Sequence, residues 1–211
     1  MNRKLNRKKW VVFAAGWVAA ATLAFALLTK ASASEEIPKL ATLMEWKHGM
    51  AVADIGAGDG SYAFAAVEHI GATGKVFATE IDAEKLKELR AEIKKRNLRN
   101  VVVVESGDAE TNLPASCCDA IFLRRVYHHL SKPLEFDASL LRSLKPGGKL
   151  AIIDFPPHPE YGKVTGVPKD REDHGIRQKI LIDELTTAGF QLEKIVDDWP
   201  ANNYCVLFHK K

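Results

Sequence analysis

VADIGAGDG, residues 52–60, is the stretch that decides the fold. The run MAVADI (50–55) is apolar and of strand length, and a helical pattern follows at 59–70. Between them stand Gly56, Gly58 and Gly60. Strand, glycine-rich turn and helix in that order let a backbone approach a nucleotide closely. Glycine removes the side chain where a ligand must lie against the turn. The spacing is G-x-G-x-G, not the dinucleotide fingerprint G-x-G-x-x-G.

The acids narrow the ligand. Asp54 precedes the glycines and Asp59 sits among them. A pyrophosphate there would meet two carboxylates where it needs bare N–H groups and a positive dipole. S-adenosylmethionine has no phosphate and carries a sulfonium and an ammonium, so nearby carboxylates favour it. Glu80 ends the next strand (75–80), where an acid can accept both ribose hydroxyls. Asp108, just past a third strand at 101–105, is placed to accept from an adenine amino group. A nicotinamide-dependent oxidoreductase is the runner-up, disfavoured by the loop acids and the spacing.

Working outward, strand-like and helix-like runs alternate as a parallel α/β sheet requires. Ile37, Leu40, Leu43, Met44 and Trp46 predict an amphipathic helix over 37–47. Residues 82–97 form a charged surface helix with Asp82 as its N-cap. VVVVE (101–105) reads as a strand buried on both faces. Asp119 to Leu123 give a fourth strand, 132–144 a helix, and Lys145 to Gly148 a turn into a fifth strand at 149–155. A long loop at 156–175, a helix at 177–188 stopped by Gly189, and strands at 191–198 and 204–210 complete the chain.

The start is different in kind. Residues 1–33 carry six basic residues and no acid, which leaves the remainder near −3 against a formal total of +3. That body lacks the basic footprint of a nucleic-acid binder. Residues 10–28 are an uncharged apolar run, about 28 Å long as a helix and so close to a bilayer's hydrocarbon thickness. Ala31-Ser32-Ala33 fits the small-x-small pattern of a signal-peptidase site. An uncleaved membrane segment is preferred over export with cleavage near Ala33, because the run is long and Lys30 intrudes. Either way the basic end stays cytoplasmic and the domain lies on the other side. The expected division is a leader (1–33), a linker with the amphipathic helix (34–48) and one domain (49–211).

The ordered motifs together resemble the class I S-adenosylmethionine-dependent methyltransferases, nearest to the small-molecule group of the ubiquinone/menaquinone C-methyltransferase type. The acid-bearing glycine turn, Glu80, Gly107-Asp108-Ala109, the strand entered by Asp119, VYHHLSKP (126–133) and LKPGGKLAI (144–152) carry the resemblance. It implies a Rossmann-like, doubly wound seven-stranded sheet of order 3-2-1-4-5-7-6 with strand 7 antiparallel. It also implies S-adenosylmethionine held by Asp54, Gly56, Ala57, Gly58, Gly60, Glu80, Ile81, Asp108 and Ala109. Methyl transfer is an in-line displacement, so alignment can supply much of the rate, and a base is needed only for a reluctant acceptor. Tyr127, His128, His129, Asp154, His158 and His174 are the side chains at hand, with His128 and His174 the catalytic candidates. The three cysteines show no metal-ligand spacing, and no metal site is expected. The acceptor is expected to be small or lipid-like, in a pocket built from 156–175 and the helix at 37–47. A membrane-tethered binding protein that keeps the fold without transfer activity is the alternative from another class.

Overall fold

The computed structural model describes residues 33–171 and 173–211. The basic start and the apolar run read at 10–28 lie outside the described residues. Among the described residues no helix is long and apolar enough to cross a membrane.

The chain runs through α1 (33–43), β1 (Ala51–Ile55), α2 (Ser61–Ile70), β2 (Lys75–Glu80), α3 (Ala83–Lys95), β3 (Val101–Glu105) and β4 (Cys118–Arg124). It continues through α4 (Pro133–Ser143), β5 (Leu144–Asp154), α5 (Gln178–Thr187), β6 (Gln191–Trp199) and β7 (Asn203–His209). The seven strands form one sheet in the order β3-β2-β1-β4-β5-β7-β6, as the resemblance implies. β7 is antiparallel to both β5 and β6, and the other pairings are parallel.

Helices on both faces explain why the central strands are apolar throughout: Val52, Ala53, Ile121, Phe122, Leu150 and Ile152 are all inaccessible to solvent. One core lies under α1, α2 and Leu89 of α3, the other under α4 and α5. Asp82 caps α3 as expected, its side chain accepting from the Lys85 N–H at 2.9 Å. Gly189 closes α5 with φ +107°, and the Phe190 N–H reaches back to Leu185.

Three expectations are corrected. β3 is not buried on both faces; it is the edge strand, paired only with β2, and Val102 stays exposed. The turn at 145–148 is absorbed into β5, where a register shift opposite Cys118 and Ala120 makes room for it. The first helix lies earlier than 37–47. Glu45 adopts φ +56°, Trp46 N–H bonds to Ala41 O and Glu45 N–H to Thr42 O, the two bonds of a Schellman stop. Trp46 follows that reversal and packs on Phe122 at a 5.9 Å ring separation, which is why its spacing reads as helical.

Candidate active site

The turn after β1 is made by backbone conformation. Gly56, Gly58 and Gly60 all have positive φ (70°, 55° and 79°). Their jobs differ. A Cβ on Gly60 would meet Phe64 and Leu89 at 2.5–2.6 Å, so this glycine lets α2 and α3 pack together. A Cβ on Gly56 would meet Val126 at 2.5 Å, whereas around Gly58 the space is open.

Glu80 ties this turn to the next. Its carboxylate accepts from Gly58 N–H (3.0 Å), Ile81 N–H (2.9 Å) and Asp82 N–H (3.1 Å). Of the roughly four acceptor directions of a carboxylate, about one is left for a ligand, fewer than the two ribose hydroxyls expected. Asp54 lies deeper. Burial raises its pKa to about 8, opposed by the Ala63 N–H and reinforced by Asp59 and Glu80. Its Oδ2 has no hydrogen-bond partner. A buried carboxyl with an open oxygen, beside two further acids, fits a ligand that brings positive charge and repels one that brings phosphate.

Gly56 and Glu80 border a cleft of about 660 Å³ at the carboxyl ends of the strands. Of the sequence-predicted cofactor residues, Gly56, Glu80, Ile81 and Asp108 line it. Asp54, Ala57, Gly58, Gly60 and Ala109 are not lining residues; the first four shape the turn behind it. Asp108 is exposed at the mouth and pairs with Lys132 at 2.7 Å, which holds its carboxyl below the usual range.

The far wall is built from side chains. Arg124, at the end of β4, lines the cleft and makes a two-toothed pair with Glu36 of α1 (2.9–3.2 Å). Glu36 is wholly buried and also accepts from Tyr62 Oη and Trp199 Nε1. Arg125 takes φ +55°, donates to Asn203 and Ala201, and lies over the Phe155 ring. Sequence reasoning passed over both arginines. The signal was available: two consecutive charges ending an otherwise apolar strand.

Next come the histidines. His128, on the 3-10 turn Tyr127–His129, is 1% exposed, and its Nδ1 faces both oxygens of Asp154 at 2.8 and 3.0 Å. Asp154 is fixed in turn by the N–H groups of His128 and Phe155. His129 lines the cleft, and His174 of the β5–α5 loop closes on both rings, at 5.0 and 5.4 Å between centroids. Burial, then repulsion from His128 and His174, hold the pKa of His129 down to about 4. His174 is lowered by the same kind of crowding. Tyr127 is not a site residue, because its hydroxyl lies 2.9 Å from both Asp137 and Glu184 inside the second core.

The expected acceptor pocket is half right at most. Leu40 of α1 and Met44 just beyond it belong to the core, and no residue of 37–47 lines the cleft. Among the described residues of 156–175, only His174 reaches the histidine cluster beside it. The base of that loop is closed by His158 N–H to His174 O (2.7 Å) and Ile176 N–H to Phe155 O (2.9 Å). A Cβ on Gly175 would meet the Pro156 carbonyl at 2.6 Å, so the backbone is tightly packed there.

Residues 53–152 match a family described as a methyltransferase domain. The chain is 28% identical over 112 residues to a demethylmenaquinone methyltransferase of Listeria welshimeri, covering 53% of this chain and 48% of that protein. It is 29% identical over 110 residues to a ubiquinone/menaquinone biosynthesis C-methyltransferase of Stutzerimonas stutzeri, covering 52% and 43%. The chain thus matches about half the length of these curated relatives. A solved S-adenosylmethionine-dependent methyltransferase from Aquifex aeolicus aligns with a TM-score of 0.70 at 28% identity, over 83% of this chain and 90% of that one. Strand order and the acid-bearing turn agree with these matches: the chain has the fold of the class I S-adenosylmethionine-dependent methyltransferases and is similar to them in sequence. Within that class, the curated relatives just described are quinone-pathway enzymes by name.

Proposed function

We propose that the protein transfers a methyl group from S-adenosylmethionine to a small or lipid-like acceptor of the quinone-precursor type. The observation that carries the reading is the turn around Asp54: three acids, one of them buried with an unpartnered oxygen, at the place where this fold binds a nucleoside. S-adenosylmethionine, when bound, supplies a methyl group already activated by a sulfonium, displaced in line. The chain's part is to hold and align. Glu80 and the Gly56–Gly58 turn would take the ribose end, Asp54 the cationic end, and Ile81 and Asp108 the base. Arg124 and Arg125, on the opposite wall, suit an acceptor carrying an ionised hydroxyl or carboxylate. The proton that the acceptor gives up has one well-prepared destination, the imidazole of His128. Asp154 fixes its tautomer and would stabilise its charged form, with His174 alongside. The names of the relatives support a quinone-like acceptor, and the apolar run at 10–28 supports one found at a membrane.

Two experiments test this. Calorimetric titration with S-adenosylhomocysteine and with NAD should show binding of the first alone; the opposite preference sinks the cofactor. Methyl-labelled S-adenosylmethionine offered with demethylquinones and other phenolic acceptors should label one of them, and label in none refutes the transferase. We also keep residues 1–33 as a membrane-directing leader that places the domain outside the cytoplasm. Full-length protein should sediment with membranes, and wholly cytosolic fractionation ends that proposal.

A further inference from the structure

Three imidazoles from two separate segments meet beside the cleft. His128, His129 and His174 can each offer a ring nitrogen such that the three lie within 4.8 Å of one another. The first two come from the turn after β4 and the third from the loop after β5. Nothing in the sequence marks the set, since two of its members are adjacent and the third follows 45 residues after His129.

The electronic state of His128 is fixed by its surroundings. Its Nδ1 is committed to Asp154, so in the neutral ring that nitrogen is the donor and Nε2 is the one that can bind a ligand. Nε2 is buried and has no hydrogen-bond partner. A buried acceptor left open costs free energy, and in native proteins such an atom usually signals a missing partner. A histidine whose far nitrogen donates to a held carboxylate is the arrangement found behind metal-bound imidazoles. Phe155, 5.0 Å from the His128 ring, closes the apolar side.

We infer that His128, His129 and His174 form a binding site for a divalent first-row transition cation, of which Zn²⁺ is the test case, with Asp154 orienting His128. Three neutral imidazoles suit zinc, and three protein ligands leave a fourth position open. His129 lines the cleft, so that position would take an oxygen of the acceptor. Binding requires the nitrogens to draw in to about 3.3 Å, as zinc–nitrogen bonds of about 2.0–2.1 Å dictate. His129 at the surface and His174 on its loop can make that adjustment while His128 stays fixed. The site stands on its own geometry. With the cation bound, His128 is a ligand and does not also take the acceptor's proton, which then leaves to solvent. Only the oxygen ligand rests on the proposed methyl transfer.

The test uses the purified full chain, stripped with a chelator and dialysed against Zn²⁺ or Co²⁺. One metal ion per chain by mass spectrometry, and the intense visible bands of tetrahedral Co²⁺, are expected. His174→Ala and His129→Ala should each weaken uptake about a hundredfold or more, and Asp154→Asn about tenfold to a hundredfold. His158→Ala, a histidine of the same loop outside the set, should change nothing. S-adenosylhomocysteine titration of the same samples checks folding and keeps the two readings apart. Uptake far below one ion per chain, or uptake unaffected by both His174→Ala and His129→Ala, overturns the site. If S-adenosylhomocysteine still binds in that case, the cofactor reading stands without it.

Discussion

The two walls of the cleft are made in different ways. On the β1–β2 side the contacts are short in sequence and run through the backbone: a glycine turn, the next strand's end, and one carboxylate taking three N–H groups. On the β4–β5 side they run through side chains from distant parts of the chain. Arg124 meets Glu36 across 88 residues, and Trp199 meets the same carboxylate across 163. The first wall suits a constant ligand, since backbone geometry changes little under substitution. The second is where one enzyme can differ from another.

The largest test of that contrast is Arg124→Ala. It would leave the Glu36 carboxylate buried with only two neutral donors, and breaking a buried pair in this way costs about 3–5 kcal/mol. Urea unfolding should show that loss, and a change below about 1 kcal/mol would mean the far wall is not held by this pair.

Gly60→Ala and Gly58→Ala sharpen the near wall. The first should cost about 2–4 kcal/mol of stability, from overpacking against Phe64 and Leu89 and from its positive φ. The second should cost only about 1–2 kcal/mol in the free protein but weaken S-adenosylhomocysteine binding at least tenfold. Equal stability losses with unchanged affinity in both would mean that the turn is structural only.

The effect that is smallest per step is on pH, where the change is gradual. Asp54 is protonated in the folded protein up to about pH 8 and ionised in the unfolded chain above about pH 4. Between those values the native state binds one more proton, so stability falls as pH rises, by at most about 1.4 kcal/mol per pH unit. Asp137, raised to about 7 by burial, adds a slope of the same sign below that pH, so the comparison is with Asp54→Asn. The variant should show the shallower slope. It should also lose the expected rise in S-adenosylhomocysteine affinity between pH 6 and pH 8. Identical slopes in the two proteins would remove Asp54 from the site.

The same division decides what could be read in advance. The Asp82 cap and the clustering of Gly56, Glu80 and Asp108 follow from local patterns, so the sequence carries them openly, while the sheet order is implied by the family resemblance. β3 misleads because VVVVE is equally good at an edge or in the middle; only neighbours decide burial. The first helix misleads because Trp46 keeps helical spacing after the chain has already turned at Glu45. The histidine cluster and the Glu36–Arg124 pair depend on tertiary distance, which no spacing encodes.

Glu36 also governs how far the catalytic face could travel. Only residues 29–32 separate the apolar run from α1, a span of at most about 18 Å even when fully drawn out. Glu36 lies in the opening turns of the described helix and grips Arg124 on the cleft wall. With the leader held in a bilayer, the mouth of the enzyme would stay on a short tether and sweep only the layer of water nearest the lipid. An acceptor dissolved in the membrane would be within its radius, and one free in bulk solution would have to come to it.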